Sequence, residues 1–120
     1  AGVMAVCLVL VAFLRTVGAQ QELDPLKVCA DTQRLLFENN FVRVTDIRVP
    51  PGGSEPLHRH MHGVVINLTE GTMEQTAGSD RKKTRTSRKA GDAIWSEAVI
   101  HEAENVGTTP VHQVRIELKY

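Results

Sequence analysis

Three histidines at alternate positions, His58, His60 and His62 in "PLHRHMHGVVINLTEG", are the densest group of reactive side chains in this 120-residue chain. Imidazole carries protons near neutral pH and is the commonest metal ligand among side chains. In an extended chain, residues two apart point to the same side. An HxH pair therefore offers two nitrogens to one ion from a single strand. His58 and His60 are read as such a pair, with His62 a candidate further donor. His101, in "IHEAEN", is a candidate from a separate strand. His112, on the last strand, is read as facing inward and simply held by a hydrogen bond.

Val64, Ile66 and Leu68 share the parity of the three histidines and are expected to face the interior, which places the histidines at the mouth of the core. The surrounding chain reads as strands. "RLLFENNFVRVTDIRV" has β-branched runs broken at Asn39-Asn40, and "PPGGSEP" is strong loop punctuation. Further turns at Gly71, "GSD", "AGD" and "VGTTP" separate short extended segments, with no amphipathic helix between them. That pattern is an all-β sandwich or barrel. In the last segment, "VHQVRIELKY", the apolar set with His112 is expected to face the core, and Gln113, Arg115, Glu117 and Lys119 the solvent.

The apolar run "MAVCLVLVAFL" at 4–14 is short for a bilayer span. With Val17 and Ala19 ahead of a cleavage point, it is expected to be a secretory signal peptide over 1–19. The product would be exported, periplasmic or secreted, with no stable membrane association. Residues 20–33 then form an N-terminal arm around Pro25, and 34–120 the folded domain. Loss of Arg15 takes the 14 basic residues to 13, against 14 acidic ones. Such a balance gives no electrostatic case for nucleic acid. Cys29 would be the only cysteine left, so no internal disulfide can form, and it is read as a buried small hydrophobe. The basic run 81–89 is read as a solvated hairpin.

The segment "GGSEPLHRHMHGVVINLTEG" resembles the first motif of the cupin superfamily, with Gly52, His58, His60 and Gly71 at its spacing. "GDAIWSEAVIHEAEN" resembles the second, through Gly91, His101 and Asn105. The resemblance covers roughly residues 35–119. It implies a cupin, jelly-roll antiparallel β-barrel, a small-molecule ligand or substrate, and a homodimer. Carried over residue by residue, the ligands are His58, His60 and His101. The usual glutamate, counted three residues on from His60, falls at Val64, and Glu97 and Val99 stand where proline and glycine are usual. Three histidines without a carboxylate are similar to the iron sites of thiol dioxygenases. The chain also looks like small single-domain cupins associated with β-alanine degradation.

These readings give an expected function. It is a divalent transition-metal cupin, with iron foremost and zinc, nickel, copper or manganese also suited to imidazole. Its expected activity is that of a mononuclear-iron oxygenase on a small organic acid or thiol. The alternative is a non-catalytic small-molecule or metal-binding barrel. Glu97 or Glu102 is a candidate carboxylate behind the ligands.

Overall fold

The computed structural model describes residue 2 and residues 20–120; the expected signal peptide falls, but for residue 2, outside the described residues. Among the described residues, one helical turn, α1 (Pro25–Val28), precedes nine strands. They are β1 (Gln33–Glu38), β2 (Val42–Val49), β3 (Ser54–His60), β4 (Gly63–Asn67), β5 (Gly71–Ala77), β6 (Lys83–Arg88), β7 (Ala93–Ser96), β8 (Val99–Asn105) and β9 (Val111–Leu118). No helix among the described residues is long and apolar enough to cross a membrane.

All pairings are antiparallel and form two sheets, β1-β2-β9-β4-β7 and β3-β8-β5-β6. The expected barrel is thus two facing sheets that hydrogen bonding does not close into one cylinder. Between them, Ile47, Val49, Met73, Ala103 and Val111 form a compact apolar cluster. Each large member contributes about 1.5–3 kcal/mol by leaving water.

The alternation breaks where the chain crosses between sheets. β3 belongs to the four-stranded sheet and β4 to the five-stranded one, and Met61-His62 is the corner between them. At that crossing the backbones lie so close that a Cβ on Gly63 would sit 1.9 Å from the Ile116 carbonyl oxygen. The corner resets the parity. Gly63, Val65 and Asn67 are buried, Val64 and Ile66 half-buried, and Leu68 exposed. The expectation that Val64, Ile66 and Leu68 face the interior is therefore corrected.

The last strand is inverted in the same sense. Val111, Arg115 and Glu117 are its buried residues. One register row of the five-stranded sheet runs Phe37, Val44, Ile116, Val64, Trp95 and faces outward. The adjacent row runs Leu35, Thr45, Arg115, Val65, Ile94 and faces the other sheet. Beyond Val111, the apolar residues Val114, Ile116 and Leu118 of β9 thus lie on the outer sheet face, while Arg115 and Glu117 enter the interior.

Residues 20–33 lie along the edge of β3. The Arg59 amide donates to the Leu23 carbonyl at 2.8 Å, and Asp24 caps α1 through the Leu26 amide at 3.0 Å. Cys29 is buried there, and burial, with Glu55 nearby, pushes its thiol up to about 12. The basic run supplies the outermost strand β6, where Lys83 and Arg85 pair with Glu74 at 3.3 and 2.8 Å.

Candidate metal centre

The β3–β8 register sets His58 directly opposite His101, and His60 opposite Val99. Directly opposed residues on one face of a sheet bring their side chains within contact. The HxH spacing adds His60 to the same side. The three imidazoles consequently converge, with one nitrogen from each lying within 4.8 Å of the others. Ring centroids are 4.7, 4.7 and 5.6 Å apart. His58 is fully buried and His60 nearly so, while His101 borders a cavity of about 420 Å³.

The groups behind the rings fix which nitrogens face the centre. His58 Nδ1 lies 2.7 Å from the Pro56 carbonyl oxygen, which can only accept, so the proton sits on Nδ1 and the Nε2 lone pair is free. His60 Nδ1 lies 2.6 Å from Glu117 Oε1. Burial, reinforced by the Arg115 charge, drives His60 down to about 2. Burial, then the His58 and His60 rings, takes His101 down to about 3. Both rings are neutral over the physiological range, the form that binds metal. His58 Nε2 and His101 Nε2 face each other at 3.2 Å. Two lone-pair sites so placed either share one proton or share a cation.

Donor chemistry and geometry therefore suit a divalent transition ion held by three Nε-type ligands. A carboxylate behind one histidine and a carbonyl behind another are the usual supports that fix ring orientation. Glu117 supplies that carboxylate. Burial pushes it up, opposed chiefly by Arg115, whose Nε lies 3.4 Å from Glu117 Oε1.

The two carboxylates expected in this role are elsewhere. Glu102 points to the outer side of β8, where Arg81 holds both its oxygens at 3.1 and 2.9 Å. Glu97 accepts from Trp95 Nε1 at 3.0 Å in an exposed position. His62 is not brought to the cluster. It sits on the corner, its Nε2 2.7 Å from the Tyr120 carbonyl oxygen and its ring stacked on Trp95 at 5.7 Å. His112 faces outward, against the expectation, and binds Asp46 Oδ1 through Nε2 at 2.5 Å. The inward residue after the HxH pair is Val65, not Val64, which corresponds to a four-residue count from His60. Either way no carboxylate stands there.

Asn105 has a structural part: Nδ2 donates to the Val49 and Thr109 carbonyls at 2.9 Å each, and Oδ1 accepts from the Gly107 amide at 3.0 Å. Sequence reasoning missed Glu117, Arg115 and Glu55. For Arg115 and Glu117 the signal is the alternating polar set Gln113, Arg115 and Glu117, which the sequence turns to solvent; Glu55, on β3, carries no such signal.

No protein-family model matches the chain, and no curated protein does. Solved structures do. A cupin domain from Bordetella pertussis Tohama I is 30% identical, with a TM-score of 0.66 over 73% of this chain and 92% of that one. An RmlC-like cupin with a double-stranded β-helix fold from Methanocaldococcus jannaschii aligns at TM-score 0.55 and 16% identity, over 72% of this chain and 80% of that one. The polyketide cyclase RemF from Streptomyces resistomycificus aligns at 0.53 and 18%, over 73% and 64%. The last two likenesses are of fold alone.

Proposed function

Because this chain belongs to the cupin superfamily, we propose that it is a metal-dependent cupin holding one divalent transition ion through His58, His60 and His101, and a mononuclear-iron oxygenase of a small organic acid or thiol. The observation that carries the reading is the convergence of three imidazole nitrogens within 4.8 Å at the wall of an interior cavity. When bound there, iron would supply oxygen activation beside a co-ligated substrate.

The chain's own residues supply the rest. Pro56 and Glu117 hold the rings of His58 and His60 in register from behind. The apolar wall of Ile47, Val65, Met73 and Val111 limits water around the substrate. Three uncharged ligands leave the ion's charge uncompensated, which favours an anionic co-ligand such as a carboxylate or thiolate.

Val65 and Gly63 at the inward positions next to His60 provide no fourth protein ligand, and His62 is turned away. These same facts also fit a barrel that binds a metal or small molecule and breaks no bond. Oxygen uptake decides between the two. We also place the mature chain outside the cytosol after loss of residues 1–19. We take it to be a homodimer, supported by the outward apolar row across all five strands. A monomeric sedimentation mass would overturn the dimer. By motif we group it with the small cupins associated with β-alanine degradation.

The test is elemental analysis of untagged protein purified without chelator, beside His58→Ala and His101→Ala. Near-stoichiometric metal, lost in both variants, followed by oxygen uptake with small thiols or acids, supports the enzyme. A protein that holds no metal and takes up none of Fe, Zn, Ni, Cu or Mn ends the reading.

A further inference from the structure

Two charged residues on the cavity wall are buried within the fold, Glu55 and Arg115. Glu55 is satisfied: Thr32 Oγ1 and Gln33 Nε2 donate to Oε2 at 2.6 and 2.7 Å. Arg115 is not. The residue is 5% exposed, and its Nη2 donates to the Met61 carbonyl and Ser96 Oγ at 3.2 and 3.0 Å. Its Nε is buried without a hydrogen-bond partner, and Nη1 makes no hydrogen bond to any described residue. A buried donor left unmade costs about 1–3 kcal/mol, and more when it is charged.

Glu117 does not complete it. The oxygen nearest Arg115, Oε1, is committed to His60 Nδ1 at 2.6 Å and reaches Arg115 Nε only at 3.4 Å. The guanidinium thus stands one carboxylate away from a histidine of the cluster, in the inward row beside Val65 and Ile94. With Nη2 committed and Nε turned to Glu117, Nη1 is the guanidinium nitrogen left for a ligand in the adjoining cavity, whose lining includes Ile47, Val65 and Met73. A charged N–H donor so placed suits the oxygen of a carboxylate.

We infer that Arg115 anchors the carboxylate of a small organic acid, whose short apolar body lies along Ile47, Val65 and Met73 and whose other end reaches the histidine cluster. The identity of that other end rests on the metal reading above; the carboxylate anchor does not. The ligand class is then a short-chain carboxylic acid. Neutral sugars, amides and alcohols of the same size are disfavoured, because a neutral acceptor makes a weaker hydrogen bond to the guanidinium than a charged one.

The test uses the full protein freed of metal and titrated with an isosteric pair, propionate and propionamide, followed by NMR of the ligand. Arg115→Gln, Arg115→Lys and Arg88→Gln are compared, with circular dichroism to check folding and metal content measured separately. The wild type is expected to prefer propionate by about tenfold or more, the worth of one charge-assisted contact. Arg115→Gln abolishes the preference, Arg115→Lys reduces it, and Arg88→Gln at the cavity rim keeps it whole. No preference in the metal-free wild type overturns the inference, as does an undiminished preference in folded Arg115→Gln. If the glutamine variant does not fold, an undiminished preference in Arg115→Lys overturns it instead. Metal-free protein that fails to discriminate while loaded protein does would assign the carboxylate to the ion, and drops Arg115 alone. Protein that holds no metal yet prefers propionate keeps Arg115 and drops the metal.

Discussion

Glu117 Oε1 and His60 Nδ1 lie 2.6 Å apart, joining the last strand of one sheet to the histidine-bearing strand β3 of the other, with both side chains almost wholly buried. The contact fixes the proton on Nδ1 and aims Nε2 at the cluster. Glu117→Gln keeps an acceptor but loses the charge. It is expected to lower metal affinity by about 10–100-fold, the usual effect of removing such a support. Competition with a chromophoric chelator measures it. Glu102→Gln, on the outer side of β8, leaves affinity unchanged; equal affinities in the two variants would make Glu117 a packing residue only.

His62→Ala is expected to retain full metal content, because the ring faces Trp95 and the Tyr120 carbonyl rather than the cluster. Trp95 is the chain's single tryptophan, so loss of the stack shifts its fluorescence. Loss of metal without a change in emission would return His62 to the ligand set.

The corner at Met61-His62 makes opposite predictions for adjacent valines. Val65→Glu introduces a carboxylate facing the cavity, and Val64→Glu one on the outer sheet face. Val65→Glu should destabilise the metal-free protein by roughly 1–3 kcal/mol through an unpaired buried polar group. Added metal should restore much of that loss. Val64→Glu should show no such metal dependence. Thermal melts with and without zinc read both, and the reverse pattern would refute the reset of parity.

Acid should weaken the metal-free protein well before its carboxylates titrate. Burial holds His60 near about 2 and His101 near about 3, against 6.5 for an ordinary histidine. Above 6.5 neither state binds these protons, and the stability is fully present. As pH falls below 6.5, the unfolded chain takes them up and the folded one does not. Stability is therefore lost down to about 3, at up to about 1.4 kcal/mol per pH unit for each histidine. Denaturant midpoints at about pH 7 and about pH 5 test this. A His60→Gln, His101→Gln double variant should respond more weakly, and an equal response in both proteins would refute the assignment.

The convergence of the three histidines was legible because it rests on local facts: two residues apart on one strand, and a second motif that brings His101 opposite. The all-β architecture was legible from the turns. What escaped was parity. The sequence turns Val64 and Ile66 of β4 and Val114, Ile116 and Leu118 of β9 inward, on the expectation that hydrophobic means buried. Here the interior houses a polar site, and the five-stranded sheet presents Val44, Val64 and Ile116 outward. Alternation says that two sets of residues face apart, but not which set faces in. A single irregular corner then exchanges them for every position beyond it.

The strand that carries His58 and His60 is the edge of its sheet, yet the Leu23 carbonyl already receives the amide of Arg59, the residue between the two histidines. An incoming strand from another molecule finds that donor taken, so the arm guards the site against intermolecular sheet growth. The same amide proton is a built-in reporter. Its exchange with deuterated solvent times the lifting of the arm, and so the moments at which the backbone between the two histidines is free to move.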